Sequence, residues 1–305
     1  MNSKHTILVI TSNADSITLK DGRKEHAGYY LNELVIPVQA ALDAGYQMVL
    51  ATPNGTKPIM DPQSARAAHF GGSEEALQKA LDFMNTHPAM QNPRSFRSVI
   101  EEGLNEYIGF YAPGGHPPMV DLMQDPDLGE ILRYAHSTGK VTALLCHGPI
   151  AIAAAMPKAK EFRAALVAGK PEEAKTLAEG WQYAGYRMTI FSNDEEHYAE
   201  ENYMGGGKIP FYVNDALKIA GGNVSISDKG IFQSFVIEDR ELTIGQNPPS
   251  DHEMAERFVK ALDRLLPRLR RTIDSEAARL ATEHGQLPIK PGPSVRHGRF
   301  TSSSL

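Results

Sequence analysis

The sequence predicts an α/β fold built on a parallel sheet, and three observations carry that expectation. Apolar runs of strand length alternate with helical patterns along most of the chain. Residues 6–11, 29–44 and 46–52 read in order as strand, helix and strand, which is a βαβ unit. Residues 141–155 read as a buried strand turning sharply into a buried helix, and the only cysteine of the 305 residues sits at the tip of that turn.

In the first helix Tyr30, Leu34, Val35, Val38, Ala41 and Leu42 recur at helical spacing, and Gly45 suits its end. Glu33 lies inside it beside Leu34 and Val35; on pattern alone it is a solvated helix-face charge. Pro53, Asn54 and Gly55 end the second strand. Residues 56–96 form an irregular excursion, most helical over 75–84, of a kind able to cover a site. A strand over 107–112 runs into Pro113, Gly114, Gly115 and His116, and a helix is expected around 128–138 before Gly139.

Residues 141–145 are apolar or β-branched, and Ile150 to Ala155 have no polar face. Between them stand Cys146, His147, Gly148 and Pro149, with proline at a helix start where its missing N–H costs nothing. Residues 157–181, rich in Ala, Lys and Glu, read as exposed helices. A fifth strand is expected over 187–191, ending at Ser192 and the acids Asp194, Glu195 and Glu196. A helix over 209–220 and strands over 232–238 and 242–244 follow. Ser250 and Glu253 fit a capping box opening a helix over 254–265. An Arg-rich amphipathic segment runs on to about residue 284, and 287–305, rich in Pro, Gly, Ser and Arg, reads as disordered or as a docking arm. The expected organisation is a domain of 1–266, with insertions at 56–96 and 157–183, and a helical or disordered extension of 267–305.

The apolar content of 41% supports a large core, and the net charge of −6 argues against nucleic acid or an anionic membrane as partner. A single cysteine forms no internal disulfide, which fits a reducing cytosol. With neither a signal peptide nor an apolar run of membrane-spanning length, the expected location is cytoplasmic. The run Gly205 to Lys208 lacks the P-loop pattern, no dinucleotide glycine motif follows the first strand, and the eleven histidines show no tight ligand spacing. Neither cofactor nor metal is expected.

Ligands of such sheets bind beyond the carboxyl ends of the strands, where the segments before Gly114, Cys146 and Ser192 should meet. A lone cysteine is most often a small buried hydrophobe. At a strand-to-helix turn, however, a thiol is exposed at a tip with the positive end of a helix behind it, which should lower its pKa. His147 can take and return its proton if a carboxylate orients the ring, and Asp194, Glu195 and Glu196 are the candidates. The N–H groups of Gly115 and His147 are candidate oxyanion donors, with Gly114 letting the backbone approach closely. On its own His116 reads equally as a surface residue or as a metal or supporting group.

Taken together the motifs resemble the DJ-1/PfpI superfamily and, within it, the Hsp31-like branch of glutathione-independent glyoxalases. The matching pieces are Lys20, Asp21 and Gly22 with Gly28 and Glu33; Ala44 to Tyr46 with Thr52 to Gly55; Pro113 to His116 with Asp121 and Leu122; Cys146 to Pro149; Phe191 to Glu196; Pro210 to Leu217; and Gly245 to Pro248. The resemblance implies a flavodoxin-like sandwich with a mostly parallel sheet and helices on both faces, commonly a homodimer. It implies Cys146 as nucleophile, His147 as its partner, and Glu196 as the orienting acid, with Asp194 and Glu195 as register alternatives. It makes Glu33 a buried, protonated carboxyl beside the thiol. The implied activity is that of a lyase converting methylglyoxal, a small 2-oxoaldehyde, to lactate without a cofactor, with His147 or Glu33 moving the proton. Pro117 and Pro118 depart from the branch, which usually has glycine after Gly-Gly-His.

Two other classes compete. One is a stress chaperone or redox sensor whose Cys146 is oxidised; the other is a cysteine peptidase, deglycase or amidotransferase. The histidine beside the thiol favours the enzyme over the sensor, and adjacent His252 and Glu253 do not give the His-x-Glu an amidotransferase wants.

Overall fold

The computed structural model describes residues 5–283, with side chains described as far as Pro267. The chain parts into two compact units after Leu265, and the first holds the central sheet.

Seven strands form the central sheet: β1 (Thr6–Ile10), β2 (Gln47–Thr52), β3 (Arg94–Ser95), β4 (Tyr107–Ala112), β5 (Val141–Leu145), β6 (Val236–Asp239) and β7 (Leu242–Gly245). Their order is β6-β7-β5-β4-β1-β2-β3. Every neighbouring pair is parallel except the β6/β7 hairpin. The chain winds outward from β1 in both directions, so β1 and β4 flank the switch in winding direction, where an open α/β sheet has its crevice. The central strands are buried on both faces, β4 and β5 throughout, which is why they read as unbroken apolar runs.

Helix α1 (Leu31–Asp43) joins β1 to β2 and buries Leu31, Leu34, Val35 and Val38. Its Pro37 removes the N–H that would bond to the Glu33 carbonyl. The hydroxyl of Tyr111, on β4, donates to that carbonyl instead and ties the start of α1 to the sheet. Helix α2 (Pro126–Thr138), capped by Asp125, leads into β5. The 56–96 excursion contains a helix over Glu74–Thr86 capped by Ser73. The 157–183 segment holds two short helices, Ala159–Val167 and Pro171–Leu177.

Four local expectations are corrected. The fifth strand shrinks to Arg187–Met188, which pairs with Asn223–Val224 outside the main sheet, because the edge beside β5 is taken by β7. Its continuation still reaches the site, since the Phe191 N–H donates to the Cys146 carbonyl at 3.0 Å. The strand expected from residue 232 begins at Val236, because Phe232 has a left-handed φ of 55° that extended backbone excludes. The turn after His147 is a 3-10 helix, Gly148–Ala155. Ser250 does not cap the last helix, which runs Asp251–Glu283; its hydroxyl donates to Asn247 and accepts from the Phe235 N–H. The expectation for 287–305 lies outside the described residues.

Candidate active site

Cys146 sits one residue past the end of β5 with φ at 61°, a left-handed conformation that costs a non-glycine residue roughly 1–3 kcal/mol. Its backbone holds it there: the N–H donates to Gly245 on β7 at 2.9 Å and the carbonyl accepts from Phe191 at 3.0 Å. The side chain turns out of the sheet edge into a cavity of about 500 Å³.

His147 and Glu33 lie beside the sulfur, and Glu196 reaches it through His147. His147 Nδ1 lies 3.3 Å from Sγ. The Nε2 of the same ring is 2.6 Å from Glu196 Oε2, so Nε2–H donates to the carboxylate and the Nδ1 lone pair is left for the thiol proton. Glu33, fully buried in the first turn of α1, accepts the Gly114 N–H through Oε2 at 2.8 Å. Its Oε1 has no hydrogen-bond partner among the described residues, and the carboxyl lies close enough to the Cys146 thiol for each to shift the pKa of the other.

The glycines at the end of β4 make this approach possible. A Cβ on Gly114 would stand 2.5 Å from Cys146 Cβ and 2.7 Å from Glu33 Oε2. Gly115, at φ +82°, turns its N–H onto the sulfur and passes so close to Gly28 that a Cβ would meet its carbonyl at 2.0 Å. Among the described residues the backbone N–H of His147 has no protein acceptor, which leaves it open for a developing oxyanion.

Burial dominates the electrostatics. It raises the Glu33 pKa to about 8, so this carboxyl keeps its proton at neutral pH. It also pushes the Cys146 thiol well up, and a charged Glu33 would push it further. The expected lowering by the helix behind Cys146 is therefore overturned: the resting site holds a thiol, and the short 3-10 turn does not outweigh desolvation. Burial likewise lowers the His147 imidazole, with the His116 ring adding to it, so His147 rests neutral as a base must. Burial alone would raise Glu196, but His116 and His147 draw it far below the usual carboxylate range, and it stays charged.

His116 is not a free surface residue. Its Nε2–H donates to Glu196 Oε1 at 2.7 Å, and its ring packs 4.4 Å from that of His147. Burial lowers its pKa, but the Glu196 charge more than offsets this and the net shift is upward. His116, His147 and Glu196 each offer one ligand atom, all within 4.8 Å of one another, so this trio is where a divalent cation would lodge. It would do so only by displacing both imidazole protons that Glu196 now accepts.

The three acids after Ser192 separate cleanly. Asp194 is exposed. Glu195 closes a capping box with Ser192 at the start of helix α3 (Asn193–Tyr203). It also accepts from Gln246, Asn247 and the Phe232 N–H at 3.0, 2.7 and 2.8 Å. Glu196 alone reaches the imidazole. The Ser-x-x-Glu spacing that separates the two glutamates is present in the sequence. Sequence reasoning also missed Tyr111, whose signal was Pro37 four residues beyond Glu33.

A family model described as ThiJ/PfpI family-like matches residues 25–205, more than half of the chain and nearly all of this site. The chain belongs to that family. It falls in the DJ-1/PfpI superfamily, in the Hsp31-like branch. A protein/nucleic acid deglycase HchA of Staphylococcus aureus is 24% identical over 266 residues, covering 86% of this chain and 81% of the relative. Solved structures of similar fold include glyoxalase III of Candida albicans, with TM-score 0.63, 21% identity and coverage of 84% of this chain and 97% of that one. The rapid encystment protein of 24 kDa from Francisella tularensis also has TM-score 0.63 and 21% identity, covering 85% and 99%.

Proposed function

We propose that the protein is a glutathione-independent glyoxalase that converts 2-oxoaldehydes, methylglyoxal among them, to 2-hydroxy acids. The carrying observation is the relay Cys146–His147–Glu196 with a protonated Glu33 beside the same thiol. His147 Nδ1 takes the thiol proton as Sγ adds to the aldehyde carbon, and Glu196 stabilises the imidazolium that forms. The aldehyde oxygen takes the Glu33 proton and becomes the hydroxyl of a hemithioacetal. The Glu33 carboxylate then removes the hydrogen from the former aldehyde carbon, and the enediol is reprotonated at the neighbouring carbon. The product is a thioester, which water hydrolyses to lactate, returning the thiol. A group with a pKa near 8 suits this two-way proton traffic.

A buried, protonated thiol supports turnover over oxidative sensing, which uses an accessible thiolate. The name of the Staphylococcus aureus relative favours one second reading, in which the same thiol attacks the carbonyl carbon of an adduct on protein or nucleic acid. Purified protein with methylglyoxal, and neither glutathione nor metal added, separates the cases. Lactate should appear with the native chain and be abolished in Cys146→Ala at an unchanged circular dichroism spectrum. Lactate from the variant at the native rate would reject the mechanism; release of amine from a glycated peptide without lactate from free methylglyoxal would move the assignment to the second reading.

A further inference from the structure

Resting on the glyoxalase reading, a further question is what hangs from the second carbon of the substrate. A three-carbon dicarbonyl fills a small corner of a cavity of about 500 Å³, a size that encloses drug-sized ligands. One wall of the cavity is a run of aromatic rings in contact from the imidazole to the mouth. His147 packs on Phe191 at 4.5 Å between centroids, Phe191 on Phe232 at 6.2 Å, Phe232 on Tyr198 at 5.3 Å and Tyr198 on Tyr203 at 6.0 Å. The last two rings are 40% and 42% exposed, so the run ends in solvent.

Phe232 is held in this wall against its own backbone preference. Its φ of 55° is one a bulky residue adopts only where the surroundings impose it. Here the Phe232 N–H is held by Glu195, the buried carboxylate next in sequence to Glu196. The ring that faces the cavity and the acid that orients the imidazole are thus set by neighbouring residues of α3. The charge of the lining is one-sided as well. Among the described residues no lysine or arginine lines the cavity, while Asp61 and Glu25 do, so a phosphate or carboxylate on the substrate would meet two acids, and the cationic His116 that could face it is already paired with Glu196.

We infer that the site selects 2-oxoaldehydes bearing a neutral aromatic substituent, with Phe232 as the residue that sets the preference. The reaction is unchanged: the hydrogen on the aldehyde carbon moves to the neighbouring carbon, and water supplies the new carboxyl oxygen. Phenylglyoxal would give mandelate as methylglyoxal gives lactate.

The test compares kcat/KM for phenylglyoxal, 4-carboxyphenylglyoxal and methylglyoxal, in the full chain and in Phe232→Gly, a change that suits the left-handed backbone. In the native chain phenylglyoxal should exceed methylglyoxal by about tenfold or more, the scale on which a pocket rewards added apolar contact. It should exceed the carboxylated analogue by more. In Phe232→Gly the phenylglyoxal to methylglyoxal ratio should fall about tenfold, chiefly through KM. Tyr198→Ala, at an exposed position of the same wall, should lower the ratio in the same direction and serves where Phe232→Gly does not fold. A ratio near one in the native chain, or one unmoved in the variants, overturns the inference and leaves the glyoxalase reading standing. No turnover of any of the three overturns both.

Discussion

Replacing Glu196 by glutamine keeps the shape of the site and removes one charge. Both Glu196 oxygens accept an imidazole N–H, at 2.6 Å from His147 and 2.7 Å from His116, and the side chain is 2% exposed. Loss of a charge-assisted hydrogen bond to the forming imidazolium costs about 1.5–3 kcal/mol, roughly a 10- to 100-fold drop in rate. The amide adds a second penalty, because it offers one oxygen and one NH2 to two Nε2 atoms. Where the NH2 faces His147, Nε2 must accept, the ring proton moves to Nδ1, and Nδ1 can no longer take the thiol proton at 3.3 Å. An amide in place of the triad carboxylate is known to cost about 10⁴ in kcat where it inverts the tautomer. The expectation for Glu196→Gln is therefore a kcat for methylglyoxal lowered by about 10²–10⁴, with KM little changed. Because Glu196 is charged far below neutrality, the loss should persist across pH 5–9 and not be rescued at high pH. Initial rates of lactate formation over that range, with thermal unfolding as a control for folding, decide it. A folded variant that keeps more than about a tenth of native kcat would refute the relay.

Three further outcomes follow from the same geometry. Glu33 is raised from its usual 4.5 to about 8 in the fold, so between those values the unfolded chain releases a proton that the native state keeps. The stability it contributes is fully present below pH 4.5 and falls by about 1.4 kcal/mol per pH unit until pH 8. Urea midpoints of the native chain and Glu33→Gln measured from pH 5 to 8 should converge or cross with that slope, and parallel curves would show Glu33 to be ionised. Gly114→Ala places a methyl 2.5 Å from Cys146 Cβ and should cost at least tenfold in lactate formation along with a lower melting temperature; a variant with native rates would mean the turn yields freely. Glu195→Ala strands donors from Ser192, Gln246, Asn247 and Phe232 in a buried space and should destabilise by about 3–5 kcal/mol in urea unfolding, whereas a loss under 1 kcal/mol would show water replacing the carboxylate.

What a reader of the sequence recovers here tracks how local the cause is. Strands β4 and β5 are legible to the residue, because strands buried on both faces show as continuous apolar runs. The turn at Cys146 is legible because Gly148 and Pro149 follow it at once. Residues 187–191 mislead: their pattern suits a strand, but β7 occupies the edge they would need, and edge occupancy belongs to the whole sheet. The thiol misleads for a related reason. A helix start is a local feature and argues for a lower pKa, whereas desolvation is made by everything packed around the sulfur, and at 3% exposure desolvation wins. Two signals were local and still went unread. Ser192 and Glu195 stand at capping-box spacing, which assigns Glu195 to the backbone and frees Glu196 for His147. Pro37 stands four residues after Glu33, so the carbonyl of Glu33 needed a donor from elsewhere, and Tyr111 on the strand that leads to Gly114 supplies it. Both are steric or hydrogen-bond necessities of the backbone, and both act by fixing an acid. The thiol at the bend is thus the visible half of the site; its chemistry is set by where Glu33 and Glu196 are pinned, and each pin is a backbone group seeking a partner.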